Sequence, residues 1–201
     1  MTRSILPVLL AASASLVVAT PPGIPSTSVA ETQLEALTVA EAGAGSDYDR
    51  DLFPHWSSQG DGCDTRDKVL VRDGTGVETG SSCSIESGSW FSEYDGETWT
   101  QASDVDIDHM VPLKNAWESG ASEWTTEERE AFANDLEIPQ LLAVTDNVNQ
   151  EKSDSGPEEW LPPLESYHCT YGKMWTTVKY TYGLTVTSAE KSALADLLAT
   201  C

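Results

Sequence analysis

A carboxylate directly followed by an imidazole can serve a hard cation and a proton side by side, and Asp108-His109 is such a pair. It closes the alternating part of the stretch Asp104-Val105-Asp106-Ile107-Asp108-His109-Met110-Val111-Pro112-Leu113, in which acids alternate with aliphatics up to Asp108. That alternation predicts a strand sending Asp106 and Asp108 to one face and Val105 and Ile107 to the other. Oxygen donors at a strand end suit a hard divalent cation, whether Mg²⁺, Mn²⁺ or another, and an imidazole beside them suits accepting a proton. Farther along, Asn149 and Lys152 stand three apart and share one face of any helix that carries them.

Those groups need elements to bring them together. Gln140-Leu141-Leu142-Ala143-Val144 reads as a second short strand, and Thr145-Asp146 offers N-cap chemistry for the helix carrying Asn149 and Lys152. Strand, excursion, strand and helix make a hairpin backed by a helix over about 104–153. The excursion is expected to hold a helix from Pro112 to Trp117 and another opened by the capping box Thr125-Thr126-Glu127-Glu128. Tyr167, Tyr171, Met174 and Val178 recur at helical intervals, and Thr187-Ser188-Ala189-Glu190 caps a last helix. Ahead of the hairpin, Lys68 to Arg72 reads as a strand or the end of a helix, and Asp73-Gly74 as a tight turn. Cys83 to Trp99 suggests a further hairpin, whose Trp90, Phe91, Tyr94 and Trp99 read as core in preference to base-stacking platforms.

Asp-x-Asp-His-x-Val-Pro-Leu, then Gln-Leu-Leu-x-Val, then Asn-x-x-Lys-Ser-Asp resembles the HNH, or ββα-metal, nuclease motif. The run from Asp106 to Pro163, with Phe132-Ala133-Asn134-Asp135 and Trp160-Leu161-Pro162-Pro163, is similar to the secreted fungal and actinobacterial HNH-family extracellular nucleases. That likeness extends from about Tyr48 to Cys201. It implies an α+β fold: a ββα-metal core with added helices, a small N-terminal β element and two disulfides. It implies His109 as general base and Asp108 and Asn149 as ligands of Mg²⁺. The activity implied is endonucleolytic hydrolysis of DNA with little sequence selectivity, leaving 5′-phosphate ends, with RNA open as a further substrate. The middle position of the motif, usually Asn, holds the loop that carries the histidine; it falls at Gln140, with Asn134 as the competing candidate. Arg66, Lys114 and Lys152 are the cations expected to meet the phosphate. Arg66 is singled out because its planar fork matches phosphate oxygens, a salt bridge being the equally weighted alternative. Since His109 must be neutral, activity is expected to fall as pH drops through its pKa, whose unperturbed value is about 6.5. His55, between Pro54 and Trp56, reads as a packing residue rather than a second acid or base.

At 201 residues one domain of ordinary size is expected. A formal charge of −22 argues, taken alone, against a nucleic-acid partner, because phosphate binding normally wants a basic surface. Chemistry is set locally, however, and a bound dication reverses the sign where it matters, so weak affinity for DNA is expected. The alternative is a non-enzymatic secreted acidic domain with a structural Ca²⁺ at Asp104, Asp106 and Asp108. Arg3 followed by an apolar run from Ile5 to Ala19 predicts a secretory signal over 1–19, too short for a membrane span. The mature protein is expected to be extracellular, monomeric and without a membrane partner. Residues 20–46, rich in Ala, Thr, Ser, Pro and Glu, are expected to be flexible or a removable pro-segment, a short helix through Leu34 and Leu37 being the lesser reading. The nuclease domain then occupies 47–201. Secretion makes four cysteines readable as two disulfides. Of the three possible pairings, Cys63–Cys83 and Cys169–Cys201 are favoured because each joins neighbouring pieces and leaves the catalytic segment uncrossed.

Overall fold

The computed structural model describes residues 21–201; the expected secretory signal over 1–19 lies outside the described residues. Ser26 caps a first helix, α1 (Thr27–Ala36), by accepting from the Val29 amide. Ala30, Leu34 and Leu37 fall at helical spacing and are buried in the larger core. Lys191, on the last helix of the chain, donates to the Glu35 and Leu37 carbonyls. Within the stretch expected to be flexible or removable, Thr27–Ala36 is thus a docked helix: three small or aliphatic side chains seat it in the groove between the last two helices.

A reciprocal capping box between Asp64 and Asp67 opens α2 (Thr65–Asp73). Lys68 to Arg72 is thus helical, and Gly74 leads from helix straight into strand where a tight turn was expected. The strands β1 (Gly74–Thr79), β2 (Ile85–Phe91) and β3 (Thr98–Trp99) form an antiparallel sheet in that order. A separate antiparallel pair joins β4 (Val105–His109) to β5 (Leu141–Thr145), with Asp106 opposite Val144 and Asp108 opposite Leu142. Between these strands lie α3 (Leu113–Glu118) and α4 (Thr126–Ala133), the latter opened by the Thr125–Glu128 capping box. After β5 the chain runs directly into α5 (Asp146–Lys152), then α6 (His168–Thr181) and α7 (Ser188–Leu198).

The β4–β5 ladder separates two cores. Val105, Ile107, Leu141 and Ala143 pack with Val69, Leu70 and Trp90, whereas Leu142 and Val144 join the larger core. Cross-strand partners share a face, so Asp106 and Asp108 project on the larger-core side. The outer edge of β5 is closed by α2: the Ala143 amide donates to Asp73, and Arg72 donates to the Leu141 carbonyl and to Asp73. Those bonds satisfy backbone groups that an open edge would offer to other strands. The disulfides are Cys63–Cys83, tying the loop before α2 to the β1–β2 connection, and Cys169–Cys201, tying the start of α6 to the C-terminus. No helix among the described residues is long and apolar enough to cross a membrane.

Candidate active site

The end of β4, the start of α3 and one face of α5 enclose a pocket of about 170 Å³, lined among others by Arg50, Asp108, His109, Asn149, Ser153 and Asp154. The adjacent pair Asp108 and His109 thus shares one cavity with Asn149, which lies far along the chain.

His109 Nε2 lies 2.9 Å from the carbonyl oxygen of Ala133, at the end of α4. A carbonyl only accepts, so Nε2 carries the proton and Nδ1 keeps the lone pair. Trp56 stacks on the imidazole with ring centroids 5.5 Å apart and planes at 23°, and His55 meets it edge-on at 6.4 Å. Burial lowers the His109 pKa from the ordinary histidine value to about 3; the Ala133 hydrogen bond opposes this, and the positive charges of Arg50 and Lys152 add to it. Desolvation keeps this imidazole uncharged well into the acid range, which moves the expected fall in activity far below the unperturbed value. The same shift is linked to stability. Because the folded-state pKa is depressed, the unfolded chain takes up a proton first, so this contribution is complete above about 6.5 and is lost as pH falls toward 3. Thermal midpoints measured between pH 7 and pH 4 should fall more steeply for the parent than for His109→Gln, the difference reaching roughly 3 kcal/mol at pH 4. Parallel curves would show that His109 is not held neutral.

Asp108 is 3% exposed. It accepts from Lys152 Nζ at 2.8 Å and from the Tyr94 hydroxyl at 2.5 Å, and Lys152 also donates to the His109 carbonyl at 3.0 Å. Burial raises the Asp108 pKa, and Lys152 and Tyr94 pull it back down. Lys152 has no exposed surface, so the expectation that it meets the substrate is corrected: its ammonium is committed to the strand end beneath the pocket. Arg66 does not reach the pocket either. Its guanidinium donates to the carbonyls of Ala102 and Val105, at 3.0 and 3.1 Å, and pins the entry to β4. This corrects both the phosphate clamp and the salt bridge expected of it. Lys114 is half-buried on α3 and likewise does not line the cavity.

Asn149 Nδ2 donates to Asp106 at 3.3 Å, which turns the amide so that Oδ1 is the atom left for another partner. Asp106 thereby acts on Asn149 and not on the pocket directly. Gln140, fully buried, accepts from the Val111 amide at 3.1 Å and donates to the Val111 carbonyl at 3.0 Å, a two-point clasp on the segment just after His109. Asn134 instead bonds the loop before α2, accepting from the Ser57 amide and donating to the Pro54 carbonyl.

The Asp108 carboxylate and the Asn149 amide oxygen are hard donors on one cavity, the donor type that Mg²⁺ takes, and both Asp108 oxygens already accept, from Lys152 and Tyr94. No group of three or more His, Cys, Asp or Glu side chains among the described residues is placed to hold a metal ion. The alternative Ca²⁺ site at Asp104, Asp106 and Asp108 therefore lacks its geometry.

Three supporting groups carry little signal in the sequence. Arg50 lies in a polar stretch with no pattern, and only the fold brings it to the cavity. Tyr94 reads as core, which its ring is, but its hydroxyl is aimed at Asp108. Trp56 packs edge-on with His55 and also stacks on His109, a contact that nothing in its sequence neighbourhood marks.

A protein of Arthroderma benhamiae, described as an uncharacterized secreted protein, is 62% identical over 184 residues, covering 92% of this chain and 90% of its own. No solved structure matches. With a secreted relative this similar and two disulfides formed, the protein is a secreted one. Residues 68–197, from α2 to α7, match the C-terminal domain of the GmrSD restriction endonucleases, and the chain belongs to that nuclease family.

Proposed function

We propose that the protein is an extracellular, metal-dependent endonuclease of the HNH, ββα-metal, type that hydrolyses DNA with little sequence selectivity and leaves 5′-phosphate ends. One observation carries the reading. The hairpin β4–β5 and the helix α5 bring Asp108, His109 and Asn149 to one pocket, and the Ala133 carbonyl fixes the tautomer of His109 that leaves Nδ1 free to accept a proton.

Phosphodiester hydrolysis needs a water relieved of its proton, and His109 is placed to take it. The imidazolium that forms keeps its bond to Ala133. Asp108 and Asn149 would hold the divalent cation, with Lys152 and Tyr94 fixing the former and Asp106 the latter. When bound, that cation supplies charge neutralisation at the phosphoryl oxygens and at the departing 3′ oxygen. Arg50, whose Nε is anchored on His55 Nε2 at 3.3 Å, presents its guanidinium to the same cavity and takes the phosphate-facing role first expected of Arg66.

The test is incubation of the purified protein with supercoiled plasmid and Mg²⁺, with and without a chelator. Nicked, then linear, then smeared DNA is expected in the first arm and intact plasmid in the second. Plasmid that stays supercoiled in both arms would refute the reading, and matched RNA substrates decide whether RNA is cut too.

A further inference from the structure

We infer that Trp56 is a positioning residue for His109, and that the side-chain amide of Asn134 holds it in place; this rests on the nuclease reading above. Trp56 has φ +58°, a left-handed backbone that a bulky aromatic residue seldom adopts. Strain of this kind persists only where the surroundings over-determine it, and it gathers at functional positions.

Here the surroundings do over-determine it. On one side of the His55-Trp56 pair, the Pro54 carbonyl accepts from Asn134 Nδ2 at 2.8 Å. On the other, the Ser57 amide donates to Asn134 Oδ1 at 2.9 Å. Ser57 Oγ also donates to Glu130 at 2.5 Å, and the Thr65 amide donates to the Ser57 carbonyl at 3.1 Å. The two residues form an arch whose feet stand on the two ends of one amide.

The arch serves the histidine. Ala133, the residue before Asn134, accepts from His109 Nε2, while Asn134 sets the arch whose Trp56 ring covers the face of the same imidazole. A ring tethered by one hydrogen bond can still swing about that bond; a second ring stacked on its face removes the swing and fixes where Nδ1 points. Proton transfer is sensitive to such aim, since a displacement near 1 Å can cost about 10²-fold in rate. The arch lies ahead of residues 68–197 and Asn134 within them, so a ring from outside the matched domain is held in place by an amide inside it.

The experiment compares the parent with Trp56→Leu and Trp56→Phe on a short duplex oligonucleotide, measuring kcat, KM, the Mg²⁺ concentration giving half-maximal rate, and the thermal midpoint. Trp56→Leu, which keeps apolar bulk but no flat face, should lower kcat about 10²-fold and leave KM and the Mg²⁺ dependence unchanged. Trp56→Phe, which keeps a stacking face, should restore most of kcat. Should Trp56→Leu not fold, Asn134→Asp takes its place: it keeps the acceptor for Ser57, loses the donor to Pro54, and should lower kcat in the same way. A parental kcat in Trp56→Leu or Asn134→Asp overturns the inference, as does an equal loss in the Leu and Phe variants that follows the thermal midpoint. An inactive parent would refute the nuclease reading and this inference with it, and that outcome is distinct from an active parent whose variants are equally active.

Discussion

Alanine in place of His109 should cut plasmid cleavage by about 10²–10⁴-fold, the usual contribution of a positioned general base, while the protein stays folded. The loss should fall on kcat. In the proposed reaction the imidazole takes the proton of water and does not hold the phosphate, and the residues that would bind phosphate and cation, Arg50, Asp108 and Asn149, are untouched. Folding should survive because the side chain has few partners to strand: the Ala133 carbonyl loses one donor and Trp56 loses one stacked ring. A single unsatisfied buried acceptor costs about 1–3 kcal/mol, within the margin of a domain held by two disulfides. Circular dichroism and a urea midpoint establish the fold, and a timed nicking assay establishes the rate. A folded alanine variant that nicks plasmid at the parental rate would remove His109 from the chemistry. The parental rate should also show no step near pH 6.5, because burial holds the imidazole neutral down to about 3.

How much of this was legible in the sequence follows from what each signal encodes. Period-two alternation over Val105 to His109 marks a strand and its two faces, and the structure places both faces against cores, with the acids on the side of α5. The capping box at Thr125 marks the start of α4 because it is local chemistry that needs no tertiary partner. Burial is a different matter. Spacing puts Lys152 on the same helical face as Asn149, and a lysine is assumed to be wet; only the fold shows that Asp108 lies beneath it. Arg66 misled for the same reason, since its carbonyl partners at Ala102 and Val105 are made by chain geometry and leave no trace in residue types. For α1, low apolar content hid the groove that receives it, because that groove belongs to residues more than a hundred positions away.

The acidic composition takes on a more definite meaning once the cations are located. Of 11 Lys and Arg, Lys152, Lys179 and Arg129 are buried, and Arg66, Arg72 and Lys191 donate to backbone carbonyls. Cationic side chains in this protein are used mainly as internal fasteners. Among the described residues Arg50 is the one lysine or arginine lining the cavity, so affinity for a polyanion has few contacts to draw on, and long-range repulsion from 33 acids opposes it. On the proposed nuclease reading, the site would have to gain more from a divalent cation than a basic nuclease does.

The second large effect is expected at the ion pair under the pocket. Lys152→Met keeps the length of the side chain and its place beside the Trp175 ring, now 5.8 Å from the ammonium, but leaves Asp108 buried with Tyr94 as its remaining partner. Breaking a buried pair in this one-sided way typically costs about 3–5 kcal/mol, because the remaining charge has lost its counterion but not its desolvation. Asp108 should respond by taking up a proton, which burial already favours, and a neutral carboxyl is a poor ligand for a hard cation. Stability and cleavage should therefore fall together in the single variant, as read by urea midpoint and nicking rate. They should then separate in the double variant Lys152→Met with Asp108→Asn: with no charge left to strand, most of the stability returns, while cleavage stays lost because the carboxylate is gone. If Lys152→Met alone unfolds at the parental urea concentration, the 2.8 Å contact is not holding an ionised pair, and the assignment of Lys152 as the fastener of Asp108 fails.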